Sequence, residues 1–295
     1  MANLKEIKRK ISSVKNTQKT TNAMKLVSSA KLKRTEELAK RSRVYASKLN
    51  ELIEEIAQKM QHASAEGLDN IFFQENDAPK MVDIIFITAD KGLCGGFNSQ
   101  TIKRTNQLIA EYQEKDVKVR LRAIGRKGID YFKFNGVDLN NEIVGLSAAP
   151  DYKHSSEFIS EVVESYVNGE TDRIIMIHNG YVNMISQEIR EDQVLPVDTS
   201  ALELGAISTS ELEVEPDDDD TLLDALVKRY VEYSIYYALI DSLAAEHSAR
   251  MQAMDAATKN AKEMVQNLNV KYNKARQEAI TTELIEIISG MESMK

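Results

Sequence analysis

The 295-residue sequence predicts an α/β domain combined with a long antiparallel coiled coil that the N- and C-terminal helices form. Helix-breaking residues are confined to the middle, since all four prolines and eleven of the twelve glycines lie between Gly67 and Pro216. Residues 1–66 and 217–289 contain neither. Apolar residues in both segments recur at alternating intervals of three and four, which is typical of a coiled-coil seam. In the middle, short apolar runs alternate with helical stretches, which indicates a Rossmann-like domain with a mostly parallel sheet.

These patterns divide the chain into four parts. We expect an N-terminal coiled-coil helix over 1–66, a central α/β domain over 67–197, a linker over 198–216 and a C-terminal coiled-coil helix over 217–295. Two lone helices of this length would be poorly stable in water. We therefore expect them to pack on each other, in antiparallel orientation because the chain leaves and returns through one domain.

The seam of the first helix is apolar at both ends and polar in the middle. Its apolar members are Leu4, Ile7, Ile11, Val14, Leu32, Ala39, Ala46, Leu49, Ile53, Ile56 and Met60. The same register places Gln18, Thr21, Lys25 and Ser28 on the seam. Polar seam residues fix the register of a coiled coil, or they mark where a helix faces a different partner. The sequence alone leaves both interpretations open.

The charge of the chain is unevenly distributed. The formal net charge is -8, yet residues 1–35 hold ten cations against the single anion Glu6, a balance of +9, so the remainder sums to -17. A basic helix on an acidic protein predicts an acidic partner, which could be a protein, a nucleic acid or a membrane surface. A solvated helix face is the alternative without a partner.

The middle of the chain contains the predicted sheet. The expected strands cover 81–88, 117–124 and 173–178, with one or two more within 182–197, and the expected helices cover 99–114, a stretch through 130–131 and 158–167. A glycine-rich turn, residues 90–98, joins the first strand to the first helix, as a nucleotide-binding loop would. It lacks the Gly-Lys-Ser/Thr end of a P-loop and the dinucleotide spacing, so tight packing is the favoured interpretation.

The C-terminal helix has the more regular seam. The seam begins at Leu223 and continues to Ala279, where its phase slips by one residue to Ile280, Leu284, Ile287 and Met291. Pro216 and the four aspartates of 217–220 precede it. Anions at a helix N-terminus complement the helix dipole, and we favour this capping role over a divalent-metal site, because the spacing of a calcium loop is missing.

Cysteine and histidine, which often serve in catalysis or metal binding, are few and scattered along the chain. A single cysteine, Cys94, excludes an intrachain disulfide, and four histidines show no metal-ligand spacing. No apolar run reaches the length that spans a bilayer, and we expect neither a secretory signal nor an active site.

Three stretches resemble the gamma subunit of the rotary, F-type ATP synthase in its bacterial form. They are SVKNTQKTTNAMKLVSSAKL (13–32), ITADKGLCGGFN (87–98) and YNKARQEAITTELIEIISG (272–290). The last departs from the family pattern just beyond its end, at Met291, where alanine is usual. The resemblance follows the whole chain in order.

This resemblance implies a rotor shaft that couples proton flow to ATP synthesis or hydrolysis and influences ATPase regulation. The partners it implies are three alpha and three beta subunits around one copy of the coiled coil, with the epsilon subunit and the membrane ring of c subunits against the α/β domain. It implies no cofactor, no catalytic site in this chain, no binding of nucleic acid and no direct membrane insertion. The implied location is the cytoplasmic face of the bacterial cell membrane, as a peripheral subunit.

The resemblance also implies residues that contact partners or take part in coupling. They are Lys8, Arg9, Gln18, Met24, Lys25, Arg250, Arg276, Gln277, Thr281 and Glu283. Lys25 departs from the uncharged or acidic residue that some relatives carry. Two other hypotheses stay open: a nucleic-acid-binding protein with a basic helical arm, and a nucleotide-binding enzyme that uses the turn at Gly92–Gly96.

Overall fold

The computed structural model describes residues 4–63, 70–76, 78–197 and 219–292. In chain order, one long helix precedes a five-stranded α/β region and another follows it. The elements are α1 (Leu4–Ala63), β1 (Met81–Ile87), α2 (Phe97–Gln113), β2 (Lys118–Ile124), α3 (Arg126–Phe134), β3 (Asn141–Ile143), α4 (Tyr152–Val167), β4 (Arg173–Tyr181), β5 (Gln187–Leu195) and α5 (Asp219–Glu292). The predicted fold class is confirmed.

The sheet has the strand order β3-β2-β1-β4-β5, in which only the β4–β5 pair is antiparallel. The sequence of the central strand β1 is mostly apolar, because helices cover both faces of this strand. Ile85 and Ile87 pack in a cluster with α4 and α5. Val82, Ile84 and Phe86 face the opposite cluster, with α2 and α3.

The structure differs from the predicted elements at β3 and α4, and in 182–197 it has one of the one or two strands expected. The short strand β3 has no counterpart in the sequence prediction, since three residues are too few to show a period. Helix α4 begins six residues before the predicted 158, because the Asp151 carboxylate accepts a hydrogen bond from the His154 backbone N–H at 3.1 Å and caps the helix. The segment 182–197 holds one strand, β5, which returns antiparallel to β4.

One glycine fixes the close approach of β1 and β2 at their carboxyl ends. Gly125 has a φ of +99°, and a Cβ at this position would overlap the backbone carbonyl oxygen of Thr88. Its N–H donates to the Ile143 carbonyl oxygen at 2.9 Å. Any side chain here would strain the backbone and push β1 from β2.

The chain forms two compact units. One contains 1–29 and 250–295, and the other contains 30–249. The four-part division predicted from the sequence stays a prediction. Its linker, 198–216, and the predicted cap at Pro216 and Asp217–Asp218 lie outside the described residues, and so do the side chains of Asp219 and Asp220.

The predicted seam is visible as burial in each unit. In the unit that contains the chain ends, Ile11, Thr21, Met254, Ala261 and Val265 are buried while the intervening positions are largely exposed. In the other unit, α1 buries Leu32, Ala39 and Leu49 in the same register. Among the described residues, no helix combines the length and apolarity that crossing a membrane requires.

Candidate interaction surface of the paired helices

The polar middle of the α1 seam contacts α5. The hydroxyl oxygens of Thr21 and Thr258 lie 2.7 Å apart, and the Lys25 ammonium donates to the Asp255 carboxylate at 2.6 Å. Residue numbers rise along α1 as they fall along α5, so the helices are antiparallel. Thr21 and Lys25 therefore pair within the chain, as expected of residues that fix register. Whether they also meet another subunit stays a prediction.

The electrostatics of this pairing centre on Asp255. Hydrogen bonds from Lys25 and then Lys259 lower the pKa of the Asp255 carboxyl to about 2, below its ordinary value near 3.8. Lys259 lies one turn away on α5, with its ammonium 2.8 Å from the second carboxylate oxygen. Asp255 is thus held ionised by one cation from each helix.

The pH dependence of this pair has a definite sign. Because the pKa of Asp255 is lower in the folded chain than in the unfolded chain, its stabilising effect is present above about pH 4 and is lost as the pH falls toward 2. We expect Asp255→Asn to lower the melting temperature of the full chain slightly at pH 5, by no more than about 3 °C, since the pair is partly solvated. The difference should be much smaller at pH 2, near the folded-state pKa of Asp255. Thermal unfolding followed by circular dichroism tests this, and an equal difference at both pH values would contradict it.

The outward faces of the paired helices carry apolar side chains. On α1, Leu26 is 62% exposed and Val27 is 56% exposed. On α5, Val270 is 69% exposed, and all twelve residues 281–292 are exposed. The exposed apolar side chains of that last segment are Leu284, Ile285, Ile287, Ile288 and Met291. Exposed apolar side chains at this density mark an interaction surface.

Cations surround the apolar positions on α1. Nine of the ten cations in the first 35 residues are exposed, and only Lys25 is half-buried. A helix that presents Leu26 and Val27 together with these cations is suited to an acidic partner that also offers apolar contacts. The solvated-face alternative accounts for the cations but not for the exposed Leu26 and Val27.

The structure divides the residues implied by the resemblance into two groups. Exposed on the paired helices are Lys8, Arg9, Arg276, Gln277, Thr281 and Glu283. Half-buried are Gln18, Met24, Lys25 and Arg250. The first group is available to a partner, whereas Lys25 is already bound to Asp255. Their roles in partner contact stay a prediction.

Sequence reasoning missed three residues of this surface. Asp255 could have been found by laying the two predicted seams antiparallel, which brings it level with Lys25. Leu26 and Val27 gave a weaker signal, since they lie off the seam register within a matched motif. Off-seam apolar residues on a long helix are the pattern that would have identified them.

The glycine-rich turn is a packing element. In sheets of this topology, ligands bind where the strand order reverses, which here is between the carboxyl ends of β1 and β4. That crevice is filled by a buried cluster of the turn with α5, made up of Ala89, Cys94, Phe97, Ala245 and Ala249. The Asn98 side chain closes the turn, accepting from the Ala89 N–H at 2.8 Å and donating to the Cys94 sulfur at 3.3 Å. Helix α5 thus occupies the space that the nucleotide-enzyme hypothesis needs.

The chain is similar to known proteins over its whole length. The family described as ATP synthase matches residues 3–294. An ATP synthase gamma chain from Sulfurovum sp. (strain NBC37-1) is 90% identical over 295 residues, which cover all of both chains. A chain in the central stalk and c-ring structure of the Tetrahymena thermophila mitochondrial ATP synthase is 26% identical, with a TM-score of 0.61, over 81% of this chain and 99% of its own. A chain of the Euglena gracilis mitochondrial ATP synthase shares the fold at 19% identity, with a TM-score of 0.67, over 99% of this chain and 94% of its own.

Proposed function

This chain belongs to the ATP synthase gamma chain family, the non-catalytic central stalk subunits of the rotary ATP synthase, and from that premise we propose how its surfaces are used. One copy turns inside a ring of three alpha and three beta subunits. Proton flow through the membrane ring of c subunits drives the rotation. The asymmetric surface of the shaft then takes the catalytic sites of the ring through different nucleotide affinities and also influences the regulation of ATP hydrolysis.

The observation that carries this proposal is the exposed apolar end of α5. Ile287 and Ile288 are each 60% exposed, and Met291 is 68% exposed. A surface helix normally buries one apolar stripe against its own chain, whereas residues 281–292 are exposed on every side. A helix end of this kind is suited to a surrounding sleeve of subunits, in which it can occupy several rotational positions.

The residues expected to contact the ring follow from exposure. We assign direct contact with alpha and beta subunits to the exposed group. On α1, Lys8 and Arg9 meet acidic loops of the ring. On α5, Gln277, Thr281 and Glu283 lie at the end of the helix that the ring surrounds. Arg276 joins them on that end. The half-buried Gln18, Met24, Lys25 and Arg250 act nearer the seam. Lys25 supports the contact indirectly, by holding the register through Asp255.

The α/β domain is assigned to the other partners, the epsilon subunit and the c ring. Its described surface includes three strongly exposed apolar side chains, Phe134 at 91%, Ile185 at 81% and Leu93 at 64%. Such residues favour protein contacts over a purely solvated domain. On this proposal the chain is a peripheral subunit at the cytoplasmic face of the bacterial membrane.

Purification of the native complex from the source cell tests the proposal. We expect this chain to co-elute with alpha and beta subunits in a ratio of one to three to three, together with epsilon and c subunits, and to stay bound at moderate salt. Quantitative mass spectrometry of the eluted complex gives the ratio. Elution of the chain alone, or with nucleic acid that dissociates steeply as salt rises, would contradict it. The family match and the Sulfurovum gamma chain give no support to the nucleic-acid alternative.

A further inference from the structure

A buried histidine in the α/β domain lies between two carboxylates of different elements. His178 on β4 is 2% exposed. Its Nδ1 lies 3.5 Å from the Asp192 carboxylate on β5, and its Nε2 lies 3.5 Å from the Asp241 carboxylate on α5. Neither ring nitrogen has a hydrogen-bond partner among the described residues. Buried polar atoms are nearly always hydrogen-bonded, so the arrangement calls for an explanation.

The elements packed around His178 carry further charged groups. On β5, Arg190 donates to the Asp241 carboxylate at 2.8 Å and to Glu188 at 3.1 Å. On α1, the Arg43 guanidinium donates to the Tyr237 hydroxyl of α5 at 3.1 Å. The ion pairs of Arg190 are thus with Glu188 and Asp241 and not with Asp192, whose carboxylate faces the histidine.

A cleft connects the histidine to solvent. It has a volume of about 420 Å³, and it is bounded by the β4–β5 edge of the sheet, by α5 and by Ala46 of α1. Tyr230 and Tyr237 lie on its α5 side. The cleft gives protons and water a route to His178, which is otherwise enclosed.

We propose that protonation of His178 closes a latch between the edge strand β5 and helix α5. A neutral imidazole carries one N–H and can donate to only one of the two carboxylates, whereas an imidazolium donates to both. Such charge-assisted hydrogen bonds are short and strong. Protonation of His178 thus ties Asp192 to Asp241 and stiffens this edge of the domain. Histidine is the side chain type suited to such a switch, because its charge changes nearest to neutral pH.

A metal site is not the better explanation. Among the residues that the structure describes, no three His, Cys, Asp or Glu side chains are arranged to hold a metal ion. Arg190 also lies 2.8 Å from the Asp241 oxygen that a cation would need. A neutral histidine that is hydrated through the cleft at every pH is the competing outcome, and the experiment separates the two.

Nuclear magnetic resonance of the full chain labelled with ¹⁵N-histidine reads the charge state of His178 directly. The chain has four histidines, and the His178 signals are identified by their loss in His178→Gln. We expect both ring nitrogens to carry protons at pH 6 and only one at pH 8. A single N–H at both pH values would overturn the latch. The charge state is read in the wild-type chain, and the unchanged signals of the other three histidines in His178→Gln verify the assignment.

Hydrogen exchange of β5 measures the mechanical consequence. At pH 6, amides of 187–195 should exchange at least about three-fold more slowly in the wild-type chain than in His178→Gln, and the ratio should fall to near one at pH 8. Comparing the two chains at one pH cancels the intrinsic pH dependence of exchange. Asp192→Asn should lower the pH 6 protection, while the control His154→Gln, at an exposed histidine, should leave it unchanged. A ratio that is the same at both pH values would overturn the proposal.

Discussion

Replacing Asp83 with alanine is expected to lower the free energy of unfolding of the α/β domain by about 3–5 kcal/mol, because it leaves a buried cation without its partner. Asp83 on β1 is fully buried, and so is Arg122 on β2. The Asp83 carboxylate accepts from Arg122 Nε at 2.8 Å and from two nitrogens of Arg120 at 2.6 and 2.9 Å. Hydrogen exchange of β1 amides measures the free energy of opening of this domain. The method suits a chain with two units, because it reports on one region at a time.

A double variant separates the lost charge pairing from lost packing. Asp83→Ala combined with Arg122→Met removes both buried charges, and it should recover most of the stability, since buried ion pairs are often replaceable by apolar side chains. Glu161→Gln is the matched control, because Glu161 also bonds Arg122, at 3.2 Å, but is itself exposed. It should change stability by less than about 0.5 kcal/mol. If the double variant were as unstable as Asp83→Ala, a cavity and not an unpaired charge would be the cause.

The seam and the central strands could be predicted because their patterns are local. The three-and-four spacing of α1 specifies which residues face α5 without any knowledge of α5. The apolar run at 81–87 similarly specifies a strand buried on both faces. The resemblance of the motif near Tyr272 to a known family then supplied the function.

The buried charges could not be predicted, because they depend on strand pairing. Nothing in the sequence near Asp83 indicates that Arg122, thirty-nine residues away, will lie beside it. The same holds for His178, which becomes unusual only when β5 and α5 bring their carboxylates to its two nitrogens. The partners of such residues are known only when the sheet is assembled.

Helix α5 shows a second limit of periodicity. The heptad seam accounts for one stripe, yet every residue of 231–249 is buried or half-buried, because the sheet packs against the other faces of the helix. Val231, Ile235 and Leu239 belong to the domain core, not to the seam with α1. The sequence prediction recognised the helix but assigned it one partner where it has two.

Deleting residues 274–295 is expected to abolish most proton-driven ATP synthesis, by about ten-fold or more, while the α/β domain stays folded. The deletion removes the exposed apolar end of α5, and with it the contacts on which a surrounding ring would depend. It keeps Asp255 and Thr258, which pair with α1. ATP synthesis by membrane vesicles that contain the assembled complex measures the effect, and hydrogen exchange of β1 verifies the domain.

A pair of matched triple substitutions decides whether the apolar side chains or merely the length of the helix is responsible. Serine at three exposed apolar positions should reproduce much of the loss, whereas serine at three exposed polar positions of the same segment should not. The apolar set is Leu284, Ile287 and Met291, and the polar set is Glu278, Thr282 and Glu286. Both sets carry equal changes in helix propensity to a first approximation, so the difference between them isolates the apolar contact. Unchanged synthesis after the deletion would show that the end of α5 does not transmit torque, and equal losses from both triple variants would show that a rigid helix is needed there but its apolar surface is not.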